Sequence, residues 1–249
     1  MNMNNPFKET EDRLQFAKAL DRLKAAQHKN QATFTDFMNP QRSVVFLQQF
    51  IKMKVSAILR GGYPDAERKM IGFEVMDEPF PIVPLAITYN SRFQKQLTHR
   101  DFLGAVLGLG LDRGKIGDIR IANTGAVMYV AQEVAEFITE NLREVGRGSV
   151  RAMPNVELSG IEATGTMKRI TVSSLRLDTV ISTALHISRG KATDLIEGEK
   201  VFVNWAIGKK TRQLTEGDTV TVRQVGRIKI DEILGTTKKD RVALVITVF

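Results

Sequence analysis

Residues 175–204 read LRLDTVISTALHISRGKATDLIEGEKVFVN. Apolar side chains recur at helical spacing twice within this stretch, over residues 177–185 and over residues 192–196. Ser188 is placed to cap the second of these helices at its start, and Gly198 is placed to end it. The stretch therefore predicts two short helices, and the apolar run at its end predicts a strand.

The residues on either side of this stretch predict a small sheet. Short segments in which apolar and polar side chains alternate are typical of strands that are buried on one face. Such segments lie at residues 167–172, 201–204, 219–224, 228–233 and 242–248. Together with the two helices, they predict a compact domain over residues 166–249.

The preceding residues, 84–165, predict a second domain. Their apolar patterns follow the order strand, helix, strand, strand, helix, strand. The strands are expected at residues 85–89, 119–122, 127–130 and 156–163, and the helices at residues 100–111 and 132–145. Gly110 is expected to end the first helix. This order is typical of a ferredoxin-like, RRM-like sandwich, in which two helices cover one sheet.

The first 83 residues predict a mainly helical region. Helical spacing extends over residues 6–28, and Asn39-Pro40 supplies the N-cap and the first residue of a second helix. Residues 71–75 predict a strand, and three prolines within residues 78–84 predict a linker. The expected fold is of the α+β class. The predicted domains are residues 1–83, 84–165 and 166–249.

The composition excludes several classes of site. The chain has no Cys and three His, and no two of the His stand at the spacing of zinc ligands. Disulfides, iron–sulfur clusters, thiolate zinc and a cysteine nucleophile are thereby excluded, so no metal site and no cofactor are expected. The polar first residues lack the apolar core of a signal peptide, and no run of about 18 apolar residues occurs. We expect a cytoplasmic protein that binds neither a membrane nor a small-molecule substrate.

Positive charge is concentrated in the last third of the chain. The formal net charge is +8, and residues 168–249 carry 15 Lys and Arg against 9 Asp and Glu. A localised basic excess is the electrostatic footprint of a polyanion partner, but it also occurs on basic surfaces that bind nothing. Charge alone leaves both interpretations open.

Six basic residues of the last domain are candidates for RNA contact. Basic side chains at helix starts combine their charge with free backbone N–H groups, and both attract phosphate oxygens. Three candidates stand at the predicted helix starts: Arg176, Arg189 and Lys191. The other three follow in a loop, where a run of charge is as often only solvated: Lys209, Lys210 and Arg212. The assignment fails if the arginines are buried or are paired with acidic groups of the fold.

Five blocks of the last domain resemble the S-four RNA-binding domain, which is named after a small-subunit ribosomal protein. They are Arg176-Leu-Asp178, Ile187-Ser-Arg-Gly-Lys-Ala192, Leu195-Ile-Glu-Gly198, Val201-Phe-Val-Asn204 and Glu216-Gly-Asp218. Their order and spacing are those of that domain. The resemblance implies that the two helices form the RNA-facing surface, with Arg176 and Arg189 as its principal contacts. Trp205 departs from the pattern, since the domain usually has Gly there, and this puts the shape of the first hairpin in question.

Motifs in the first two domains extend the resemblance. They are Arg60-Gly-Gly-Tyr-Pro64 with Ala66-Glu-Arg68, His99-Arg-Asp-Phe-Leu-Gly-Ala105 with Leu107-Gly-Leu-Gly110, and Arg113-Gly-Lys-Ile-Gly-Asp118. The chain as a whole is similar to the YlmH family, bacterial proteins that are encoded near cell-division genes and end in an S-four domain. The resemblance implies binding to ribosomal RNA and tRNA, on a large ribosomal subunit that carries an obstructed peptidyl-tRNA. It also implies a quality-control role that helps to extend the stalled nascent chain.

Two other functions stay open at this point. An RNA-modifying enzyme, such as a pseudouridine synthase or a methyltransferase, can carry an S-four domain, and pseudouridine synthases have an essential Asp in an Arg-Leu-Asp motif. Asp178 stands in such a motif, but the simpler interpretation is that it favours the start of the first helix. No nucleophile–base pair, metal cluster or cofactor loop stands out in residues 1–167, so no enzyme is expected. A cell-division protein that acts through protein contacts is the other alternative.

Overall fold

The computed structural model shows six α-helices and three antiparallel sheets among the residues it describes. These are residues 7, 10–64, 66–75, 78–89, 97–122, 124–156, 158, 165–223, 225–237 and 240–249. The α+β class predicted from the sequence is confirmed. The chain separates into two compact units, residues 1–162 and residues 163–249, and the further division of the first unit near residue 83 stays a prediction. No helix in the described part of the chain is long and apolar enough to cross a membrane.

Two helices and a three-stranded sheet form the beginning of the first unit. The helices are α1, Thr10–Lys29, and α2, Pro40–Lys52, and the strands are β1, Thr33–Phe34, β2, Ala57–Arg60, and β3, Met70–Phe73, in the sheet order β1-β3-β2. As predicted, Asn39 caps α2, since its Oδ1 accepts a hydrogen bond from the Arg42 N–H at 2.8 Å. Aromatic rings of both helices and of β3 form the core: Phe16, Phe46, Phe50 and Phe73. Strands β1 and β2 are not predicted from the sequence, because they are short and form by pairing with β3.

Apart from one additional two-residue strand, the remainder of the first unit has the predicted order of strand, helix, strand, strand, helix, strand. Its strands are β4, Ile82–Tyr89, β5, Ile116–Ala122, β6, Gly125–Ala131, β7, Glu144–Val145, and β8, Gly148–Pro154; its helices are α3, His99–Gly108, and α4, Gln132–Asn141. In the sheet order β5-β6-β4-β8-β7, the first long strand lies between the third and the fourth, which is the ferredoxin-like arrangement. Side chains of α3 and α4, such as Phe102 and Ile138, pack on one face of this sheet.

The predicted linker is wrong from Ile82, where β4 begins. Pro84 lies inside this strand, although proline cannot donate to a ladder of hydrogen bonds. Its carbonyl accepts a hydrogen bond from the Asn155 N–H at 2.8 Å, just beyond the last residue of β8. The proline nitrogen therefore faces the end of β8, where the pairing of the two strands stops.

The end of the first unit is also shifted from the prediction. Helix α4 ends at Asn141 rather than at residue 145, because the residues of β7 pair with β8. Among the described residues, the last long strand of this sheet is β8, which ends at Pro154, before the strand expected at residues 156–163. Residues 157 and 159–163 of that predicted strand lie outside the described residues. As predicted, α3 ends before Gly110, whose φ of +84° glycine adopts without strain.

The second unit has two helices on one face of a small sheet, as predicted, but the sheet has six strands and not five, since the sequence did not predict a two-residue strand. The strands are β9, Thr166–Val172, β10, Val201–Val203, β11, Ala206–Ile207, β12, Thr219–Val222, β13, Gly226–Thr236, and β14, Val242–Val248; the helices are α5, Leu177–Ala184, and α6, Arg189–Glu197. The sheet order is β11-β10-β12-β13-β14-β9. The predicted cap of α6 is confirmed, since Ser188 Oγ accepts from the Lys191 N–H at 3.1 Å. Ile181 and Ile196 of the helices pack against Val220 and Leu244 of the sheet.

The hairpin between β10 and β11 keeps a tight two-residue turn in spite of Trp205. Asn204 and Trp205 have φ of +48° and +67°, and positive φ at both central residues is typical of a type I′ turn. The side chain of Asn204 anchors the turn, because its Nδ2 donates to Asp218 at 2.6 Å and its Oδ1 accepts from the Thr219 N–H at 2.9 Å. A bulky residue at positive φ is strained by about 1 kcal/mol. The turn is therefore held by Asn204 and not by the conformational preference of Trp205.

Candidate nucleic-acid interface

A buried carboxylate joins the starts of the two helices in the second unit. Asp178, in the first turn of α5, is 1% exposed. Its carboxylate accepts hydrogen bonds from Nε of Arg176 and from Nε of Arg189, each at 3.1 Å. Nη2 of Arg176 adds a longer bond at 3.4 Å. The two arginines that the sequence singles out therefore share one acidic partner.

The two guanidiniums keep Asp178 ionised. Burial by itself raises the pKa of a carboxyl group, because it disfavours the charged form. Here the hydrogen bonds and charges of Arg176 and Arg189 outweigh burial, so the pKa of Asp178 is lowered from its ordinary value. The charged carboxylate also lies at the positive end of the α5 dipole, which agrees with the role expected for it at the helix start.

Both arginines remain accessible although they have an acidic partner. The exposed fraction of the side chain is 35% for Arg176 and 59% for Arg189. A guanidinium carries several N–H donors in one plane, and Asp178 accepts from only one or two on each. The contact with Asp178 is one of the two arrangements that we expected to exclude RNA binding by these arginines. Because donors remain available on two cations that share a single anion, the assignment of both residues stays a prediction.

Backbone pairing brings the basic loop to the start of α5. The Leu177 N–H donates to Arg212 O at 2.9 Å, and a β-bridge pairs Arg176 with Gln213. The Arg212 side chain is 50% exposed, and its Nη2 lies 3.6 Å from Asp218 Oδ2. The fold thus places Arg212 beside the same helix start as Arg176.

The three candidate lysines lie in the same segments as the candidate arginines. Lys191 is exposed in the first turn of α6, and Lys209 and Lys210 precede Arg212 in the same turn, where Lys209 O accepts from the Arg212 N–H at 2.8 Å. In the described part of the chain, none of the three lysines bonds to Asp178. The structure therefore brings together Arg176, Arg189 and the loop of Arg212, which also carries Lys209 and Lys210.

The bridging role of Asp178 is the functional feature that the sequence pattern did not predict. The pattern assigns Asp178 to the helix start alone. A signal was present, since an arginine stands two residues before Asp178 and another opens the next helix. Only the packing of α5 against α6 shows that both arginines reach the same carboxylate.

A second polar cluster, in the first unit, joins two of the sequence motifs. Asp118 of β5 accepts hydrogen bonds from Tyr63 OH at 2.9 Å, from the Glu67 N–H at 2.6 Å and from the Arg68 N–H at 3.1 Å. Burial and the neighbouring Asp118 raise the pKa of Tyr63, so its phenol stays protonated and donates. The motif that begins at Arg60 is thereby fixed to the motif that ends at Asp118.

Arg68 also links the motif that begins at Arg60 to the motif that ends at Asp118. Its Nε donates to Ile116 O at 2.9 Å, and its Nη2 donates to Phe37 O and to Arg113 O, each at 3.1 Å. Burial, together with the nearby charge of Arg113, lowers the pKa of Arg68 to about 10, so the guanidinium stays charged at neutral pH. These donors are engaged by carbonyl groups of the protein itself, which makes Arg68 a structural residue.

The motif containing Tyr63 covers part of the open face of the ferredoxin-like sheet. Tyr129 of β6 points away from α3 and α4, and the ring of Tyr63 lies on it with centroids 4.9 Å apart. Arg120 Cζ lies 4.8 Å from the Tyr63 centroid, on the same face. Gly62 is required at this contact, because its φ is +95° and a Cβ there would come within 2.4 Å of the Tyr129 ring. An RRM stacks RNA bases on this face of its sheet. Here the motif of Tyr63 covers the face at Tyr129 and Arg120.

Two family models match the first unit. Residues 11–76 match the model described as "YlmH, N-terminal", and residues 76–158 match the model described as "Putative RNA-binding domain in YlmH". The chain belongs to the YlmH family. The second YlmH model covers the whole ferredoxin-like part of the first unit, from β4 to β8.

A curated relative and a solved structure are also similar to this chain. The chain is 32% identical over 232 residues to the "Ribosome-associated protein quality control protein P2" of Bacillus subtilis (strain 168), with 90% of each chain covered. It is similar in structure to the "Cell division protein ylmH from Streptococcus pneumoniae", with a TM-score of 0.50 and 22% identity, over 60% of this chain and 94% of that one. The second likeness shows a shared fold.

Proposed function

We propose that this member of the YlmH family is a ribosome-associated RNA-binding protein that acts in quality control of stalled translation. The name of the Bacillus subtilis relative supports the association with ribosomes, since similarity extends over 90% of both chains. The description of the second family model supports RNA as the partner. The observation that carries the proposal is the pair of guanidiniums ordered on Asp178.

The second unit is proposed to be an S-four RNA-binding domain. Its sequence blocks follow the order of that domain, and its two helices lie side by side on one face of a small sheet. The blocks are also physically joined. Asn204 bonds Asp218, and Arg176 lies beside the loop of Arg212. This geometry supports the helices as the RNA-facing surface.

The proposed ligands of this surface are phosphates of ribosomal RNA and of tRNA on the large subunit. Arginine matches a phosphate with its planar fork of donors, and a fork that is already held in place loses less entropy when it binds. Asp178 supplies this order, because it fixes one edge of each guanidinium. Each phosphate contact also releases a condensed counterion, so binding should weaken steeply as salt rises.

The proposed action is positional and not catalytic. A protein that binds the large subunit together with a peptidyl-tRNA more tightly than either alone slows the release of that tRNA. The geometry of Asp178 supports a role without catalysis. Its carboxylate is 1% exposed and accepts hydrogen bonds from two arginines, so a nucleobase of a substrate RNA could not reach it. In this proposal, the Asp of the Arg-Leu-Asp motif positions Arg176 and Arg189.

Large subunits with and without bound peptidyl-tRNA test the proposal. We expect the full chain to bind subunits that carry the tRNA more tightly, and to slow release of labelled tRNA from them. Subunits stripped of tRNA serve as the control. Equal affinity for both kinds of subunit, with an unchanged rate of tRNA release, would refute the proposed role.

A further inference from the structure

The sheet of the second unit has a second face, opposite the two helices. Side chains alternate between the faces of a strand, and apolar residues of β10, β12, β13 and β14 contact α5 and α6 on the first face. The residues that alternate with them lie on the second face. Three of these are basic and two are aromatic: Arg223, Arg227, Lys229, Phe202 and Phe249. Arg223 and Phe249 are exposed, and Arg227 and Lys229 are partly exposed.

Two guanidiniums on this face lie over aromatic rings. Arg223 Cζ is 4.9 Å from the centroid of Phe202, and Arg227 Cζ is 3.9 Å from the centroid of Phe249. An aromatic ring attracts the positive charge and orders a side chain that is otherwise flexible. A guanidinium plane held in this way can stack against a nucleic-acid base.

Strand register places hydroxyl groups among these cations. Thr221 of β12 is opposite Phe202 on one side and Arg227 on the other. In the next row, Thr219 is opposite Lys229. Neighbouring strands lie about 4.8 Å apart, and residues two positions apart on a strand lie about 7 Å apart. Cations and hydroxyl groups therefore lie side by side on β12 and β13. Phe202 of β10 is 6% exposed and lies under Arg223.

Acidic groups lie at one end of this face. Asp231 and Glu232 stand at the bulge of β13, where its register with β14 shifts. The Asp231 carboxylate accepts a hydrogen bond from the hydroxyl of Thr247 at 2.7 Å. Thr247 is the cross-strand partner of Lys229, so this carboxylate lies beside the lysine. Arg227 and Arg223 stand further from Asp231, along β13 and toward β10, and that part of the face is positive and complementary to a phosphate backbone.

We infer that this face is a second RNA-binding surface, which takes an unstacked single strand. Phosphates would lie against Arg223, Arg227 and Lys229, and bases would stack on the guanidinium planes. A duplex hides the faces of its bases, which cannot then stack on the guanidinium planes, so a single strand fits better. The Asp178 site lies across the sheet, so the second unit can hold two RNA segments at once. The inference and the proposed function have RNA as a partner in common, but they concern different surfaces of the second unit.

The test measures binding of a labelled oligouridylate of about 12 nucleotides to the full chain at several salt concentrations. Arg223→Gln combined with Lys229→Gln should weaken binding about tenfold and reduce the salt slope by about 1. Lys29→Gln combined with Lys52→Gln removes the same charge from exposed sites of the first unit, and it should leave affinity within about twofold. Thr221→Glu adds a carboxylate beside Arg227 and should also weaken binding. This variant tests the surface if the double variant unfolds.

The outcomes separate the inference from the proposed function. Arg176→Ala with Arg189→Ala should keep oligouridylate binding while losing ribosome binding. The second surface is refuted if the Arg223 and Lys229 variant and Thr221→Glu bind oligouridylate like the wild type, or if the control variant loses as much affinity as they do. Loss of oligouridylate binding only in the Arg176 and Arg189 variant would also refute it, and would leave the proposed function intact.

Discussion

Arg189 donates from Nε to Asp178 Oδ2 at 3.1 Å, and this contact ties the start of α6 to the start of α5. The carboxylate is buried while the guanidinium is mostly exposed. A change at Asp178 should therefore affect both the packing of the two helices and the surface that we propose to bind RNA.

Asp178→Asn should weaken RNA binding even though it makes the chain more positive. Asparagine keeps the shape but loses the charge that orders Arg176 and Arg189. We expect a loss of about 1–2 kcal/mol in the free energy of unfolding, because both guanidiniums can still be solvated, and about a tenfold loss of affinity for large subunits. Denaturant unfolding and ribosome sedimentation measure the two effects.

Glu197→Gln is the matched control for that variant. Glu197 is exposed at the end of α6, and its replacement makes the same change in formal charge. Its stability should stay within about 0.5 kcal/mol of the wild type, with no loss of affinity. If the Asp178 and Glu197 variants bind equally well, the ordering role of Asp178 is wrong.

The pH dependence of the free energy of unfolding should show the contribution of the Asp178 carboxylate. Its pKa is lowered in the folded protein, so its contribution is present above the unfolded pKa of about 3.9 and is lost as pH falls through the lower folded value. Urea unfolding at a series of pH values should therefore show a constant difference between wild type and Asp178→Asn from about pH 5 to 7. The difference should shrink below about pH 4, and a difference that persists there would contradict the lowered pKa.

Asp118→Ala should destabilise the first unit more than Tyr63→Phe does. Removal of the carboxylate leaves three donors without their acceptor, whereas Tyr63→Phe removes one donor and leaves two bonds in place. We expect losses of about 3 kcal/mol and about 1 kcal/mol in the free energy of unfolding, measured by denaturant titration. Equal losses would show that the two backbone N–H bonds contribute little.

Gly62→Ala and Gly104→Ala should change stability in opposite directions. At Gly62, the positive φ and the close approach to Tyr129 should cost about 3 kcal/mol. Gly104 is exposed inside α3, and a Cβ there meets nothing within 4 Å, so alanine should stabilise the protein by about 0.5–1 kcal/mol. Thermal unfolding checks both variants, and tolerance of Gly62→Ala would mean that the contact of Tyr63 with Tyr129 can relax.

Local signals in the sequence predicted much of the fold. Asn39 and Ser188 cap helices, and Gly110 ends one, because these effects depend on a few adjacent residues. The order of long strands and helices also followed from apolar spacing, and it was enough to predict the ferredoxin-like arrangement.

What the sequence did not predict depends on residues that meet only in the fold. Pro84 looks like a linker residue until the end of β8 is placed beside it. Strands of two residues, such as β7 and β11, have no pattern of their own. The position of Asp178 between two arginines requires the packing of α5 on α6, which spacing along the chain does not give.

Ribosome sedimentation of the full chain, wild type against Arg176→Ala with Arg189→Ala, is the decisive measurement. Lys29→Ala with Lys52→Ala, two exposed lysines of the first unit, controls for the loss of two charges. We predict that the arginine variant folds, as circular dichroism would show, yet leaves the large-subunit fraction, while the lysine variant stays in it. If the folded arginine variant still sediments with large subunits, the guanidiniums at the starts of α5 and α6 do not form the ribosome-binding surface.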